Sequence, residues 1–435
     1  MIELVFFFHY ISDLVLSQVN LYLYLHKACL ANTTTEKTYG ACYIDQQGFT
    51  LVSKVTGSYY RWAMLFLCVF YVSLATSWSD TSGRRRRPLV FIAIFGQIMQ
   101  SISGLINHFF DSSLIVAAIS NMIFEFIGGI HMMFVVAQIY ICEISAVGNR
   151  TMRLGLLWVV RLVCQLLGSG IANKYVFGFG FYYSYTLCIV LSIISLVLAA
   201  LLVKDKFVIP EERRSLLRLF DVTRIVHCFK LVFKKSLGSK RLLVLLLLIA
   251  YVVVYCVYQG ENGTASYVIS YQLASLDSRV HWNALLFVRN LAIIFNTLLC
   301  CVILSKCLKI RDVSIGIFAG ICNLIGVILH FLVGQIWHVY IAALLNAFHG
   351  VVLFTTVSFL SKFYDGKEFG RLFGVLNILF CLALISEWAY SILFVKTANC
   401  FLPAVFINSF FLNATVLVLY CISFMFWRLV SDPVS

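Results

Sequence analysis

The chain has 435 residues, of which 61% are hydrophobic and only 12% are charged. A soluble core cannot bury so large an apolar share, so these proportions exclude a water-soluble globular domain and leave a polytopic membrane protein with room for about a dozen spans of about 20 residues. The 33 Lys and Arg outnumber the 19 Asp and Glu, but they cluster between apolar runs, where membrane topology rather than nucleic acid accounts for them.

Taken in order, residues 4–25 predict a first span interrupted by Asp13, Gln18 and Asn20. A cleaved signal peptide is the competing reading, but no Lys or Arg precedes the run, and the run is too long and too polar for a signal core. Residues 26–57 form a polar loop containing Asn32-Thr33-Thr34, a glycosylation acceptor if the loop lies outside. Cys29 and Cys42 share this loop and could form a disulfide there. Spans two to six are expected at 58–78, 89–110, 115–141, 154–173 and 179–203. Between spans two and three stands Asp80-Thr-Ser-Gly83-Arg84-Arg85-Arg86-Arg87-Pro88, a tight basic turn.

A linker follows at 204–241, with eleven Lys and Arg against four acids. Within it Leu216, Leu217, Phe220, Ile225, Phe229 and Phe233 recur at helical spacing. That pattern predicts an amphipathic helix on an anionic lipid leaflet, against the simpler reading of a solvated charged linker. Spans seven to twelve are expected at 242–266, 282–305, 313–333, 338–361, 372–395 and 402–427. The domain plan is therefore an N-terminal six-helix bundle at 1–203, the linker, and a C-terminal six-helix bundle at 242–435. With both termini cytoplasmic, 24 of the 33 Lys and Arg fall on the inner side and seven outside, and two lie within spans. That bias sets the expected orientation.

The two are Arg161 and Arg289. A basic residue at a helix centre costs about 2.5–3.5 kcal/mol on insertion scales, so each must face a partner or a watery cavity. One reading makes them a pair that draws in an anionic substrate, with Gln165 and Asn290 beside them in spans five and eight. The other locks each to an intramembrane acid, for example Arg161 to Glu125 or Glu387. Glu125, His131, Glu261 and Glu387 are the candidates for proton coupling, because a buried group titrates as its surroundings change wetness. His349 is a weaker candidate. Most of the fifteen cysteines lie in spans and read as small apolar packers, and no Cys/His spacing fits a metal site.

The Asp-x-x-Gly-Arg-Arg pattern of Asp80, Gly83, Arg84 and Arg85 resembles the signature loop of the major facilitator superfamily. The longer Trp78-Ser79-Asp80-x-x-Gly83-Arg84-Arg85 resembles one of its branches, solute carrier family 46, which contains the proton-coupled folate transporter. The turn from Glu143 to Arg150-Thr151-Met-Arg153, and Glu368-Phe-Gly370 before span eleven, are similar to further turns of that branch. The turn from Lys306 to Asp312 looks like a worn copy of the signature loop. The resemblance implies an all-α membrane protein of twelve helices in two pseudo-symmetric halves, in which the signature residues gate the cytoplasmic side.

It also implies a glycan and a cysteine in the first loop, but the branch's partner cysteine has no counterpart near 272–281. Three coupling positions of the folate branch fall on Trp158, Tyr258 and Val357. The expected function is secondary transport of a small organic anion, folate-like or another carboxylate, with protons as a further partner. The alternative is a receptor or scaffold of the same shape that carries nothing. Neither enzyme motifs nor a phosphate-cradling loop is present, so no enzymatic activity and no cofactor are expected. Either the plasma membrane or the lysosomal membrane suits a glycosylated first loop.

Overall fold

In the computed structural model the described residues are 2–32, 59–81, 86–110, 112–126, 129–205, 221, 223–234, 240–273, 279–332, 336–397 and 404–431. Helices account for nearly all of them. They are α1 (Ile2–Asn32), α2 (Tyr59–Thr81), α3 (Arg87–Phe109), α4 (Leu114–Phe126), α5 (Gly129–Ile144), α6 (Arg150–Leu202) and α7 (Thr223–Val232). After them come α8 (Lys240–Leu273), α9 (Arg279–Leu298), α10 (Asp312–Phe331), α11 (Ile336–Asn346), α12 (His349–Ser361), α13 (Phe369–Thr397) and α14 (Ala404–Ser431). Among the described residues nine helices are long and apolar enough to cross a membrane. Each of the twelve expected spans falls on a helix.

Five spans differ in detail from the sequence expectation. Span four is split into α4 and α5, and Gly129, the first residue of α5, has φ +37°. Spans five and six are joined in α6 without a loop, and the direction changes at Gly180, whose φ of +83° is open to glycine at little cost. Span ten breaks into α11 and α12 at Ala347–Phe348. Near the end of span eight the chain widens into a π-helix, Leu299–Cys307, closed by the Leu308 amide donating to the Ile303 carbonyl at 2.9 Å. The linker helix is shorter than expected: α7 covers Thr223–Val232, and Leu216, Leu217 and Phe220 lie outside the described residues.

Packing groups the chain into two compact units, Met1–Tyr140 with Val163–Ile225, and Ile141–Leu162 with Val226–Ser435. In the first unit α1 runs against the later part of α6. Val15, Leu16, Val19 and Leu23 pack on Ala172, Val176, Phe181, Tyr185 and Cys188. Hydroxyl bonds stitch the seam: Ser12 donates to the Cys188 carbonyl at 2.9 Å, Ser195 to the Val5 carbonyl at 3.0 Å, and Tyr185 to Asn20 at 2.8 Å. Burying polar side chains in a lipid-facing bundle requires such partners.

In the second unit Val327, Val339, Ala343, Tyr390, Val405 and Phe406 form one core cluster with Leu285. Leu162, Ala292, Ile293 and Ala347 form another, which binds α6 to α9 and to the break in span ten. Large apolar side chains such as Phe95, Phe109, Phe295 and Phe411 remain exposed, as a lipid-facing surface demands. Cys164, Cys300 and Cys301 are fully buried thiols, and Cys68 and Cys381 are nearly so.

Gly326 is where two helices meet backbone to backbone. A Cβ there would stand 2.6 Å from the Asn346 amide nitrogen and 3.0 Å from its Cα. Neither atom can yield without moving α11. Gly326→Ala is therefore expected to destabilise the fold by about 1–3 kcal/mol. Thermal unfolding of the purified protein checks this, with Gly148→Ala, which meets nothing within 4 Å, as the silent control. Equal melting temperatures for the two variants would show that this contact is not made.

Candidate functional site: two charged turns and a polar core

Four arginines follow one another in the turn between α2 and α3, and the structure gives the last two distinct tasks. Arg86 is 1% exposed, and its guanidinium donates to Asp80 at 2.6 Å and to the Ser79 hydroxyl at 2.7 Å. Both side chains of the Asp80–Arg86 pair are 1% exposed. The backbone amides of Arg86 and Arg87, at the start of α3, donate to one carboxylate oxygen of Asp205 at 2.9 and 3.0 Å. An acid at a helix N-terminus answers amides that have no partner within the helix. Gly83, Arg84 and Arg85 lie outside the described residues. Sequence reasoning singled out the first two arginines of the run and passed over Arg86 and Asp205.

A second charged cluster belongs to the second unit. Asp312 opens α10 and is 4% exposed. It accepts from the Thr151 hydroxyl at 2.8 Å and from the Lys362 ammonium at 2.7 Å. Thr151 also shares a hydrogen bond with Ser358 at 2.7 Å, and Arg150 donates to the Ser361 carbonyl at 2.8 Å while covering the Phe369 ring. Outside the spans, Tyr364 is buried beside Glu368, and both burial and that negative charge push its phenol pKa up. It therefore stays neutral through the physiological range. The cue in the sequence was an acid ending a basic turn, as Asp312 ends the run from Lys306.

Between the helices of the second unit lies the third polar group. Arg161 of α6 is half-buried, with its guanidinium 5.0 Å from the ring centre of Trp158. It also faces Tyr251 and hydrogen-bonds Tyr255, both on α8. Tyr255 in turn touches Tyr258 and Phe380 edge to face, so the arginine stands at the border of an aromatic group. Farther along α8, Glu261 is 1% exposed and accepts from the Asn346 amide at 2.6 Å. The His349 ring, 3% exposed, bonds the Asn346 carbonyl through Nδ1 at 2.6 Å. Glu261 and Arg289 both act electrostatically on His349 and on His330, whose ring is stacked on Phe406 at 4.8 Å. The fold thus brings Arg289 and Glu261 to one cluster.

The remaining candidates are dispersed. Gln165 is exposed, and Asn290, His131 and Glu387 are half-buried. The Glu387 carbonyl accepts the Ser391 hydroxyl at 2.9 Å. The side chains of Glu125, Cys29 and Asn32, and all of Cys42, lie outside the described residues. His330 and Asn346 were missed as candidates: a lone His or Asn in an apolar run gives no sign of its neighbours.

Removing one member of a buried ion pair leaves the other charge without compensation, at a cost of about 3–5 kcal/mol. Asp80→Ala and Arg86→Ala are each expected to lose stability on that scale. The double variant is expected to lose clearly less than the sum, as measured in a double-mutant cycle of chemical unfolding. Strict additivity would mean that the pair is not coupled.

The profile of the Major Facilitator Superfamily matches residues 38–386. No curated protein matches the chain by sequence. Among solved structures, the human organic anion transporter MFSD10 (TETRAN) is similar at 16% identity and a TM-score of 0.69, covering 96% of this chain and 98% of that one. A bacterial homologue of the iron transporter ferroportin has 13% identity and a TM-score of 0.63, covering 97% and 99%. The proton:xylose symporter XylE has 14% identity and a TM-score of 0.60, covering 98% and 94%. At these identities the likeness is one of fold, whereas the profile spans most of the sequence. The chain belongs to the major facilitator superfamily of transporters, and it is a multi-pass membrane transporter rather than an enzyme.

Proposed function

We propose that this protein is a secondary carrier of a small organic anion, folate-like or another carboxylate, coupled to protons and working by alternating access. The observation that carries the reading is Arg161, a guanidinium held inside the apolar part of the chain against Trp158, Tyr251 and Tyr255. A planar cationic fork bordered by aromatic faces suits a carboxylate on a flat or apolar body. Arg289 would be the second cation, and Gln165 and Asn290 would contribute hydrogen bonds. The human transporter of similar fold carries organic anions, which fits this substrate class.

In this reading the sequence halves 1–203 and 242–435 are the moving bundles, with the linker 204–241 and both termini in the cytoplasm. Asp80, Gly83, Arg84 and Arg85 belong to the gating turn on that side. The α7 helix would lie on the anionic inner leaflet: Val226, Phe229 and Phe233 are exposed, while Cys228, Leu231 and Val232 are buried. The first loop would be outside, carrying a glycan on Asn32, and the membrane would be the plasma or the lysosomal one. The replacement of three folate-branch coupling positions by Trp158, Tyr258 and Val357 favours a different anion, or the alternative of a receptor or scaffold that carries nothing.

The test is uptake of labelled folate and other organic anions into vesicles containing the purified protein, at acidic and neutral external pH. Acid-stimulated uptake is expected. Arg161→Gln and Arg289→Gln are each expected to lower it roughly 10- to 100-fold, the scale of one lost charge-assisted hydrogen bond, at unchanged protein level. Uptake unaffected by either change would remove the arginines from the site. No uptake of any anion would favour the scaffold.

A further inference from the structure

Spans five and six turn into each other without a loop, and the corner at Gly180 is aromatic. Six of the nine residues from Tyr175 to Tyr183 carry rings. Phe181 packs into the core of the first unit, whereas Phe177, Phe179, Tyr182 and Tyr183 are exposed. Tyr175, Phe179, Tyr183, Tyr182 and, from α3, Phe109 touch in succession, with ring centres 5.2–6.4 Å apart. A Cβ placed on Gly178 or Gly180 would meet nothing within 4 Å, so among the described residues nothing packs over the corner at these two points. A contiguous exposed apolar patch of this kind marks a surface that something else covers.

The helices that carry the corner give its depth. The far end of α6 lies at the charged turn between α2 and α3: the Arg87 guanidinium donates to the Ala200 carbonyl at 2.9 Å, and Asp205 accepts from the first amides of α3. At 1.5 Å per residue the arm from Gly180 to Leu202 is about 33 Å long, and so is α3, whose last residue Phe109 touches Tyr182. The hydrocarbon core of a bilayer is about 30 Å thick, and the bilayer with its headgroups about 40–45 Å. With the charged turn at one boundary, the corner reaches the headgroup layer of the opposite leaflet and stops there. Tilt of the helices only shortens that reach.

We infer that the corner is a lipid-binding surface: its rings lie in the headgroup layer of that leaflet, and the Lys174 ammonium pairs with a phospholipid phosphate. Lys174 is exposed, and it is the one charged residue between Arg161 and Lys204. Its long stem lies among the rings while the ammonium reaches the phosphate. Tyrosine, apolar in its body and polar at its tip, suits that layer. The surface also continues into the lipid-facing side of span six: Tyr183, Val190, Val197 and Leu201 recur along one face of the arm, and all are exposed. A protein partner on the corner would have to break that continuity. The lipid contact fixes the depth at which the chain of the first unit turns back, whatever the protein carries.

Fluorine NMR of the full-length protein in phosphatidylcholine nanodiscs reads the depth of the corner. Trifluoromethylphenylalanine takes the place of Phe179 in one preparation and of Tyr183 in another, so that one label failing to fold leaves the other. Each preparation meets three relaxation agents in turn: a water-soluble gadolinium chelate, a phospholipid with a nitroxide on its headgroup, and one with a nitroxide near the end of its acyl chain. The two nitroxides stand about 15 Å apart, half the hydrocarbon core. At both positions the headgroup nitroxide is expected to speed fluorine relaxation severalfold more than either other agent. The strongest effect from gadolinium would put the corner in water, and the strongest from the deep nitroxide would put it in the hydrocarbon core. A signal that none of the three relaxes would mean that protein, such as a second copy of the chain, covers the patch. Each of these results overturns the proposal. Lys174→Glu is expected to weaken the headgroup effect at both labels, and an unchanged effect overturns the phosphate contact.

Discussion

A polar group inside a bilayer has no water to turn to, and this constraint governs where every charge in the chain can stand. Helices satisfy the backbone, so the burden falls on side chains and on helix ends. At the turn between α2 and α3, Asp80 takes Arg86 and Asp205 takes the first amides of α3. At the start of α10, Asp312 takes Thr151 and Lys362. Both arrangements gather donors around an acid. The two turns also occupy equivalent places in the repeated plan, though the acid ends a helix in one and opens a helix in the other.

The constraint explains how Arg161 can be kept within a span. Aromatic rings supply negative faces without adding a charge, and the Tyr255 hydroxyl adds a hydrogen bond, so the guanidinium is held by groups that are themselves at home in an apolar interior.

The spans were legible because an apolar run of about 20 residues has few other uses. Their breaks were not. Gly129 and Gly180 take positive φ, but the chain has 25 glycines, and nothing local separates these from a glycine packed in a straight helix. The break at Ala347–Phe348 has no Gly or Pro at it, and depends on Gly326 of α10 admitting the backbone of Asn346. The site was legible in part. Arg161, Arg289 and Glu261 stand out as charges in apolar runs. The partner of Glu261, however, is Asn346, 85 residues away, and no pattern announces it. Likewise a run of four arginines cannot say which one turns inward; the geometry of the helix start selects Arg86.

The difference between the charged turns and the polar cluster is then one of completeness. Asp80 and Asp312 each sit among matched donors, and a matched buried network resists change because any rearrangement strands a charge. Glu261, Asn346 and His349 stand at the break in span ten, and among the described residues Glu261 Oε1, Asn346 Oδ1 and His349 Nε2 have no hydrogen-bond partner. The charged turns at the helix ends are thus built around paired acids, whereas the polar group where α8 meets span ten keeps polar atoms unpaired.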